Sequence, residues 1–195
     1  MTTSDVGDLE CFCRQIEARS REHQQAMPVV VEHGWWSLAV GMLRLELDSL
    51  IRVIYLLHQP QQVRNEIIAS SIAGDGRFRL ETPRGRLTTA TDADMLNAAD
   101  RLLGLNGWVR RVYKFGCSFI HLSSAHDYLA LDPFQALPPD ERLVIAEYLR
   151  HYHGGTVDPQ STFAEVTPYV PKVLTKISSN LELYVDDLRA SRSQG

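Results

Sequence analysis

Cysteine is scarce in this sequence of 195 residues, which has only Cys11, Cys13 and Cys117. Three thiols cannot all pair, and Cys11 and Cys13, two residues apart on a helix, point away from each other and lack the spacing of a metal site. We therefore expect unpaired thiols and a reducing, cytoplasmic location. The first ten residues have neither a basic stretch nor an apolar run, so no secretory signal is expected.

Long hydrophobic runs and the common catalytic signatures are also missing. The most apolar segment, residues 35–57, is interrupted by charged side chains, which excludes an ordinary membrane span. There is no glycine-rich phosphate loop, no Gly-x-Ser-x-Gly elbow, no His-Glu-x-x-His motif and no Glu-x-x-His pair typical of di-iron bundles. We therefore expect neither a metal nor another cofactor.

Net charge gives no general attraction to nucleic acid, because the formal value is −4. Phosphate or RNA binding would need a local basic patch, and the clearest one lies in residues 76–90. There apolar residues alternate with charged ones on both sides of Pro83 and Gly85, which predicts a small β-hairpin inserted between helices. The hairpin carries four arginines: Arg77, Arg79, Arg84 and Arg86. They either bind a phosphate or a protein partner, or only prevent edge pairing.

Apolar residues recur at steps of three and four through most of the chain, which predicts helices. The expected fold is all-α, one domain over residues 1–195, built as a four- to five-helix bundle with the inserted hairpin. Residues 1–28 are predicted to form a peripheral N-terminal helix that Pro28 ends, because the residue before a proline is forced out of the helical region. Residues 190–195 are expected to form a disordered tail.

The predicted helix Leu105–Leu131 carries the main candidate site. Its apolar stripe consists of Trp108, Val112, Phe115, Phe119 and Leu122. Lys114 and His121 lie seven residues apart, two turns along the helix and nearly in line, with Ser118 between them and Arg111 one turn earlier. This side is either an ordinary solvated face or a row of cations, a hydroxyl and an imidazole able to do acid–base chemistry.

The helix predicted from Trp35 to His58 contains one carboxylate that needs an explanation. Glu46 stands inside the apolar seam, between Leu43 and Leu50. It lies either at the rim or in the core beside a partner, because an unpaired buried charge is too costly to keep. We count Glu46 as a candidate binding residue.

The run from Tyr113 to Ser123, YKFGCSFIHLS, resembles the signature of the HEPN superfamily of helical-bundle proteins, nearest an uncharacterised bacterial branch. The upstream helix is similar to the family's other landmark, an apolar helix with an acid followed by Tyr-Leu-Leu, matched by Glu46 and the run Tyr55–Leu57. The resemblance covers these two helices.

HEPN ribonucleases cleave RNA without a metal, using an arginine and a histidine in a composite site at a dimer interface. The resemblance implies that His121 is the acid–base group and that Lys114, in the arginine position, contacts phosphate, with Ser118 and Arg111 in support. Two features depart from the pattern. A lysine cannot clamp a phosphate bidentately, and Phe115 stands where active members usually carry a polar residue.

Two functions therefore stay open. One is a non-catalytic binding or regulatory module of a bacterial defence or stress system. The other is a metal-independent ribonuclease of the toxin or phage-defence type. The expected partners are a second copy of the chain and either RNA or an antitoxin-type protein. The homodimer is expected because the stripe that begins at Trp108, together with Trp35 and Trp36, offers surplus apolar surface. In the alternative, the C-terminal helix covers the stripe within one chain.

Overall fold

Helices account for most of the described chain, which confirms the all-α prediction. The computed structural model describes residues 3–75, 78–81, 87–103, 108–121, 123 and 126–191, except the side chains of residues 3–6, 79–81, 87, 102 and 103. The described helices are α1 (Thr3–Glu32), α2 (Trp36–Leu57), α3 (Gln61–Ile72), α4 (Asp92–Leu103), α5 (Trp108–Ile120), α6 (Pro139–His153), α7 (Phe163–Val166) and α8 (Val170–Ala190). None of them is both long and apolar enough to span a lipid bilayer.

The central helix is α2, because apolar residues occupy nearly its whole circumference. Such a helix needs neighbours on every side, and α2 contacts α1, α4, α5 and α8. The buried apolar residues of α2 include Ala39, Val40, Leu43, Leu47, Leu50, Ile51, Val53 and Ile54. The polar residues of α2 therefore also reach deep into the bundle.

The end predicted for the first helix is wrong, because α1 continues through Pro28 to Glu32. A proline inside a helix removes one hydrogen bond and costs about 3 kcal/mol. Here the residues on either side, Met27 and Val30, are buried in the core, and their burial offsets that cost. The part of α1 that appears polar in the sequence also packs inward, with Ser20 and His23 both buried.

The helix predicted from Leu105 to Leu131 is too long, since α5 ends at Ile120. Side chains after that point bind the backbone and compete with helical hydrogen bonding. Ser123 Oγ donates to the Ser118 carbonyl at 2.6 Å, and Asp132 Oδ1 accepts from two backbone N–H groups of the following turn at 2.9 Å. Residues 104–107, 122, 124 and 125 lie outside the described residues.

Two short strands, β1 (Arg79–Glu81) and β2 (Leu87–Thr89), pair antiparallel with Leu80 opposite Thr88. Phe78 precedes β1 and is buried, with its ring 6.1 Å from that of Tyr55. The predicted arginine patch falls outside what the structure describes: Arg77, Arg84 and Arg86, together with the side chain of Arg79. The same holds for residues 192–195 of the predicted tail.

Candidate functional site

The candidate row on α5 is only partly assembled. Arg111, Lys114 and Ser118 share one side of α5, because they follow one another at steps of three and four. Lys114 Nζ lies 3.4 Å from Glu141 Oε1 of α6, and 55% of the Lys114 side chain is exposed. An ion pair this exposed contributes little to stability.

His121 follows α5 rather than forming part of it. Its backbone N–H still donates to the Cys117 carbonyl at 3.2 Å, which completes the last turn. Its side chain is exposed and has no hydrogen-bond partner among the described residues. The imidazole is therefore reachable by solvent, and none of the side chains that the structure describes orients it.

The described part of the α5 stripe is covered within one chain. Trp108 and Phe119 are buried, and Val112 and Phe115 pack half-buried against the core. Trp108 stacks on Tyr148 of α6, with the ring centroids 5.4 Å apart, and Phe119 stacks on Phe163 of α7 at 5.6 Å. Leu122 lies outside the described residues. The surplus apolar surface that predicted a homodimer is therefore absent from the described part of this stripe.

Next to the stripe, α5, α6 and α8 line a partly open cavity of about 50 Å³. Its wall is almost entirely apolar, with contributions from Phe115, Leu149 and Val173. Arg111 also borders the cavity, and its Nε is buried without a hydrogen-bond partner among the described residues. Arg111 thus borders this cavity, whereas Lys114 pairs with Glu141.

Glu46 belongs to a polar cluster inside the bundle and not to its rim, since it is fully buried. His23 Nδ1 of α1 lies 2.7 Å from Glu46 Oε2. Ser178 Oγ of α8 donates to Glu46 Oε1 at 2.9 Å, and Ser20 Oγ of α1 donates to the same oxygen. One carboxylate thereby joins α1, α2 and α8.

The cluster keeps Glu46 ionised. Burial alone would raise the pKa of its carboxyl, but the hydrogen bonds from His23, Ser20 and Ser178 outweigh burial and lower that pKa below its usual value of 4.5. Ser20 and Ser178 donate directly to the carboxylate. This arrangement is suited to fixing helices and not to activating a serine for nucleophilic attack, which needs a base at the hydroxyl.

A second polar cluster joins α2 to α4 and α5. Arg44, also buried, places Nη2 3.1 Å from Asp92 Oδ2, and its guanidinium carbon lies 3.7 Å from the centroid of the Tyr113 ring. Tyr113 OH donates to Asp92 Oδ2 at 3.1 Å. The close approach depends on Gly116, because a Cβ there would lie 2.6 Å from the Arg44 Cβ. The glycine of the HEPN-like run therefore has a packing role.

Three polar partners of Glu46 and the acid that binds Arg44 were missed by sequence reasoning: Ser20, His23, Ser178 and Asp92. One signal was available for α1, because Ser20, His23, Met27 and Val30 recur at steps of three and four, the spacing of a buried stripe. The same signal marks Ser178, because Leu174, Ser178, Leu181 and Val185 recur at these steps, whereas for Asp92 the sequence contains none.

Comparisons with family models, with curated proteins and with solved structures find no match to this chain. The HEPN resemblance therefore stays a prediction. Among the described residues, no group of three or more histidine, cysteine, aspartate or glutamate side chains could hold a metal ion.

Proposed function

We propose that this chain is a HEPN-like helical bundle that acts as a non-catalytic binding or regulatory module of a bacterial defence or stress system. The observation that carries the proposal is the state of the α5 row. A general acid–base group and a phosphate-binding cation act efficiently only when the protein holds them in place. Lys114 is more than half exposed and bound to Glu141, and His121 lies beyond the end of α5 without a side-chain partner in the described structure.

The proposal is tested by incubating the purified protein with single-stranded and hairpin RNA in EDTA. We expect no cleavage by the parent protein, and none by His121→Ala. The matched control is His151→Ala, which removes an exposed histidine at the end of α6. Cleavage by the parent that persists in His151→Ala and disappears in His121→Ala would overturn the proposal.

The alternative function is a metal-independent ribonuclease, favoured by the shared side of Arg111, Lys114 and Ser118 and by the exposure of His121. In this alternative, a second copy of the chain supplies the groups that orient the histidine, and the partner is RNA or an antitoxin-type protein. The composite site requires a dimer. A mass of 22.0 kDa by light scattering at micromolar concentration, the mass of one chain, would contradict this alternative.

A further inference from the structure

An open cleft lies where the C-terminal end of α2, helix α4 and the start of α5 meet. Its volume of about 840 Å³ is sufficient for a small organic molecule, since ligand sites in proteins typically measure about 300 to 1,000 Å³. Charged and polar side chains from all three helices line it, in contrast to the apolar cavity between α5, α6 and α8. Such a lining suits a ligand that carries charge and several hydrogen-bonding groups.

His58, the residue that follows α2, lines this cleft with a fixed ring. Its Nδ1 lies 2.8 Å from the carbonyl oxygen of Ile54, four residues earlier. Because a carbonyl oxygen only accepts, Nδ1 carries the proton, and Nε2 of the neutral ring is an acceptor. The residue is exposed, so a ligand in the cleft can reach the ring. His58 therefore has the orienting bond that His121 lacks among the described residues.

Two guanidiniums in the cleft are held by a single asparagine. Arg101 Nε donates to the Asn97 carbonyl at 3.2 Å, and Arg110 Nη2 donates to the side-chain oxygen of Asn97. Arg110 also pairs with Asp100, since its Nε lies 3.7 Å from Asp100 Oδ2. Arg101 is exposed and has no acid partner in the part of the chain that the structure describes. One oriented cation of the cleft is thus uncompensated, and the planar fork of a guanidinium matches the oxygens of a phosphate.

Asp94 places a hydrogen-bond acceptor two turns before Arg101 on the same face of α4. Its Oδ2 accepts from the hydroxyl of Thr91 at 2.6 Å and from the backbone N–H of Thr91 at 2.9 Å. These bonds lower the pKa of the Asp94 carboxyl, which is therefore ionised at neutral pH, and its Oδ1 has no partner among the described residues. Seven helical residues separate Asp94 from Arg101 by about 10 Å along the axis. Over such a distance in solvent, salt screens most of the repulsion between this carboxylate and an anion at Arg101.

The cleft offers little to a flat aromatic ligand. The tyrosine that lines it, Tyr55, is only 2% exposed, so its ring is not available for stacking. The acceptors of the cleft, His58 Nε2 and the Asp94 carboxylate, instead match hydroxyl groups, which donate hydrogen bonds. The ligand that fits has an anionic end for Arg101 and a body that carries hydroxyls.

We propose that this cleft binds a sugar phosphate. The phosphate accepts hydrogen bonds from Arg101 and Arg110, and the sugar hydroxyls donate to His58 Nε2 and to Asp94. A sugar phosphate is then the ligand class that the binding module of the preceding section would sense, and this biological role rests on that proposed function.

The test is calorimetric titration of the full chain with glucose 6-phosphate, with glucose as the analogue without phosphate and inorganic phosphate as the anion without a sugar. We expect glucose 6-phosphate to bind at least about 10-fold more tightly than either analogue, since a hydrogen bond to a charged group has at least that effect. Glucose binding as tightly would overturn the phosphate contact, and inorganic phosphate binding as tightly would overturn the contacts to hydroxyls. The absence of glucose 6-phosphate binding would overturn the site.

A second comparison tests the choice of a sugar over an aromatic base. Adenosine monophosphate, which adds a base to ribose 5-phosphate, should bind no more tightly than ribose 5-phosphate, because Tyr55 is too buried to stack on the base. Tighter binding of adenosine monophosphate would contradict the proposed ligand class.

Two pairs of variants locate the site, with circular dichroism to check that each variant folds. Arg101→Gln should weaken glucose 6-phosphate binding about 10-fold, whereas Arg150→Gln, which changes an exposed arginine of α6, should leave it unchanged. His58→Ala should also weaken binding, and His33→Ala should not. His33 is the matched control, because its Nδ1 lies 2.8 Å from the carbonyl of Val29, also four residues earlier, but at the end of α1. Equal affinity in the parent and Arg101→Gln, or in His58→Ala and His33→Ala, contradicts the proposed contacts.

These outcomes are independent of the ribonuclease assay. A chain that cleaves RNA through His121 and also binds glucose 6-phosphate overturns the non-catalytic proposal and supports the ligand site. A chain inactive on RNA that does not bind glucose 6-phosphate overturns the ligand site alone.

Discussion

The buried cluster around Glu46 allows the strongest prediction about stability. Glu46→Ala removes the only carboxylate in the cluster and leaves Ser20, Ser178 and His23 facing a core position without an acceptor. Each buried group left without its hydrogen-bond partner costs about 1 to 3 kcal/mol, and three such groups lose their acceptor here, so we expect a loss of about 3 to 5 kcal/mol. In a chain of this length, 1 kcal/mol shifts Tm by about 2 to 4 °C. We therefore expect Glu46→Ala to lower Tm by roughly 6 to 20 °C.

Glu46→Gln separates the hydrogen bonds from the charge. Its amide oxygen still accepts from Ser20 and Ser178, and its amide nitrogen can donate to the Nδ1 of a neutral His23. We expect a loss of about 1 to 2 kcal/mol at pH 7, clearly smaller than that of the alanine variant.

The stability of the parent and that of Glu46→Gln should also depend differently on acid pH. The folded-state pKa of Glu46 lies below its usual value of 4.5, so the carboxylate contributes stability that is fully present above pH 4.5 and is lost as the pH falls through the folded-state pKa. The glutamine cannot titrate in this range. The difference in unfolding free energy between the parent and Glu46→Gln should therefore narrow below pH 4.5.

Urea titrations followed by circular dichroism, at pH 7 and at several values below 4.5, measure these differences directly. Glu182→Ala is the control, because Glu182 is exposed on α8 and its loss should change stability by no more than about 0.5 kcal/mol. If Glu46→Ala is as stable as Glu182→Ala, the Glu46 carboxylate does not stabilise the core. A difference in unfolding free energy between the parent and Glu46→Gln that stays constant in acid would contradict the lowered pKa of Glu46.

Two further predictions concern α5 and the thiols. Gly116→Ala would place a Cβ 2.6 Å from the Arg44 Cβ, so it should destabilise the chain by about 1 to 3 kcal/mol in the same urea titration. The control is Gly41→Ala, whose Cβ would have no atom within 4 Å and which should be neutral or stabilising by up to about 1 kcal/mol. Equal stability of the two variants would contradict the close packing of α5 on α2. Cys13 is fully buried, and burial raises the pKa of its thiol to about 11. It should therefore react with a thiol reagent at pH 8 only after urea unfolds the chain, whereas the half-buried Cys11 should react in the native state.

The sequence predicted burial best where the composition of a single helix determines how that helix packs. The apolar seam of α2 predicts a largely buried helix, so that Glu46 had to lie either at its rim or in the core beside a polar partner. It does not say which partner, because His23 and Ser178 lie 23 and 132 residues away along the chain. Their approach depends on how α1 and α8 pack, and one sequence contains no record of that.

The helix boundaries were mispredicted for two opposite reasons. At Pro28 a local rule predicted a helix end, but the buried residues on both sides stabilise a continuous α1. After Ile120 apolar residues continue at helical spacing, but α5 ends there and Ser123 Oγ binds the Ser118 carbonyl of its last turn. Periodicity reports which side of a helix can be buried, and it does not report where side chains replace the backbone hydrogen bonds.

A homodimer stays a prediction, and the packing of α5 bears on where it would form. The described part of the α5 stripe packs against α6 and α7, so it offers no wide apolar surface to a second copy. The exposed apolar side chains of the α1–α2 hairpin are a better candidate, because Val29, Trp35 and Leu38 are each about half exposed. Trp35 was one of the two tryptophans that suggested an interface from the sequence.

Two variants distinguish these interfaces by light scattering. If the chain dimerises through the α1–α2 hairpin, Leu38→Glu should reduce the mass to that of one chain, because a charge buried in an interface without a partner is strongly destabilising. Ile120→Glu, at the exposed end of α5, should leave the dimer intact. If Ile120→Glu gives the mass of one chain and Leu38→Glu leaves the dimer intact, the two α5 helices meet at the twofold axis. Only that arrangement allows the composite site of the ribonuclease alternative, so the pair of variants tests the mechanism as well as the interface.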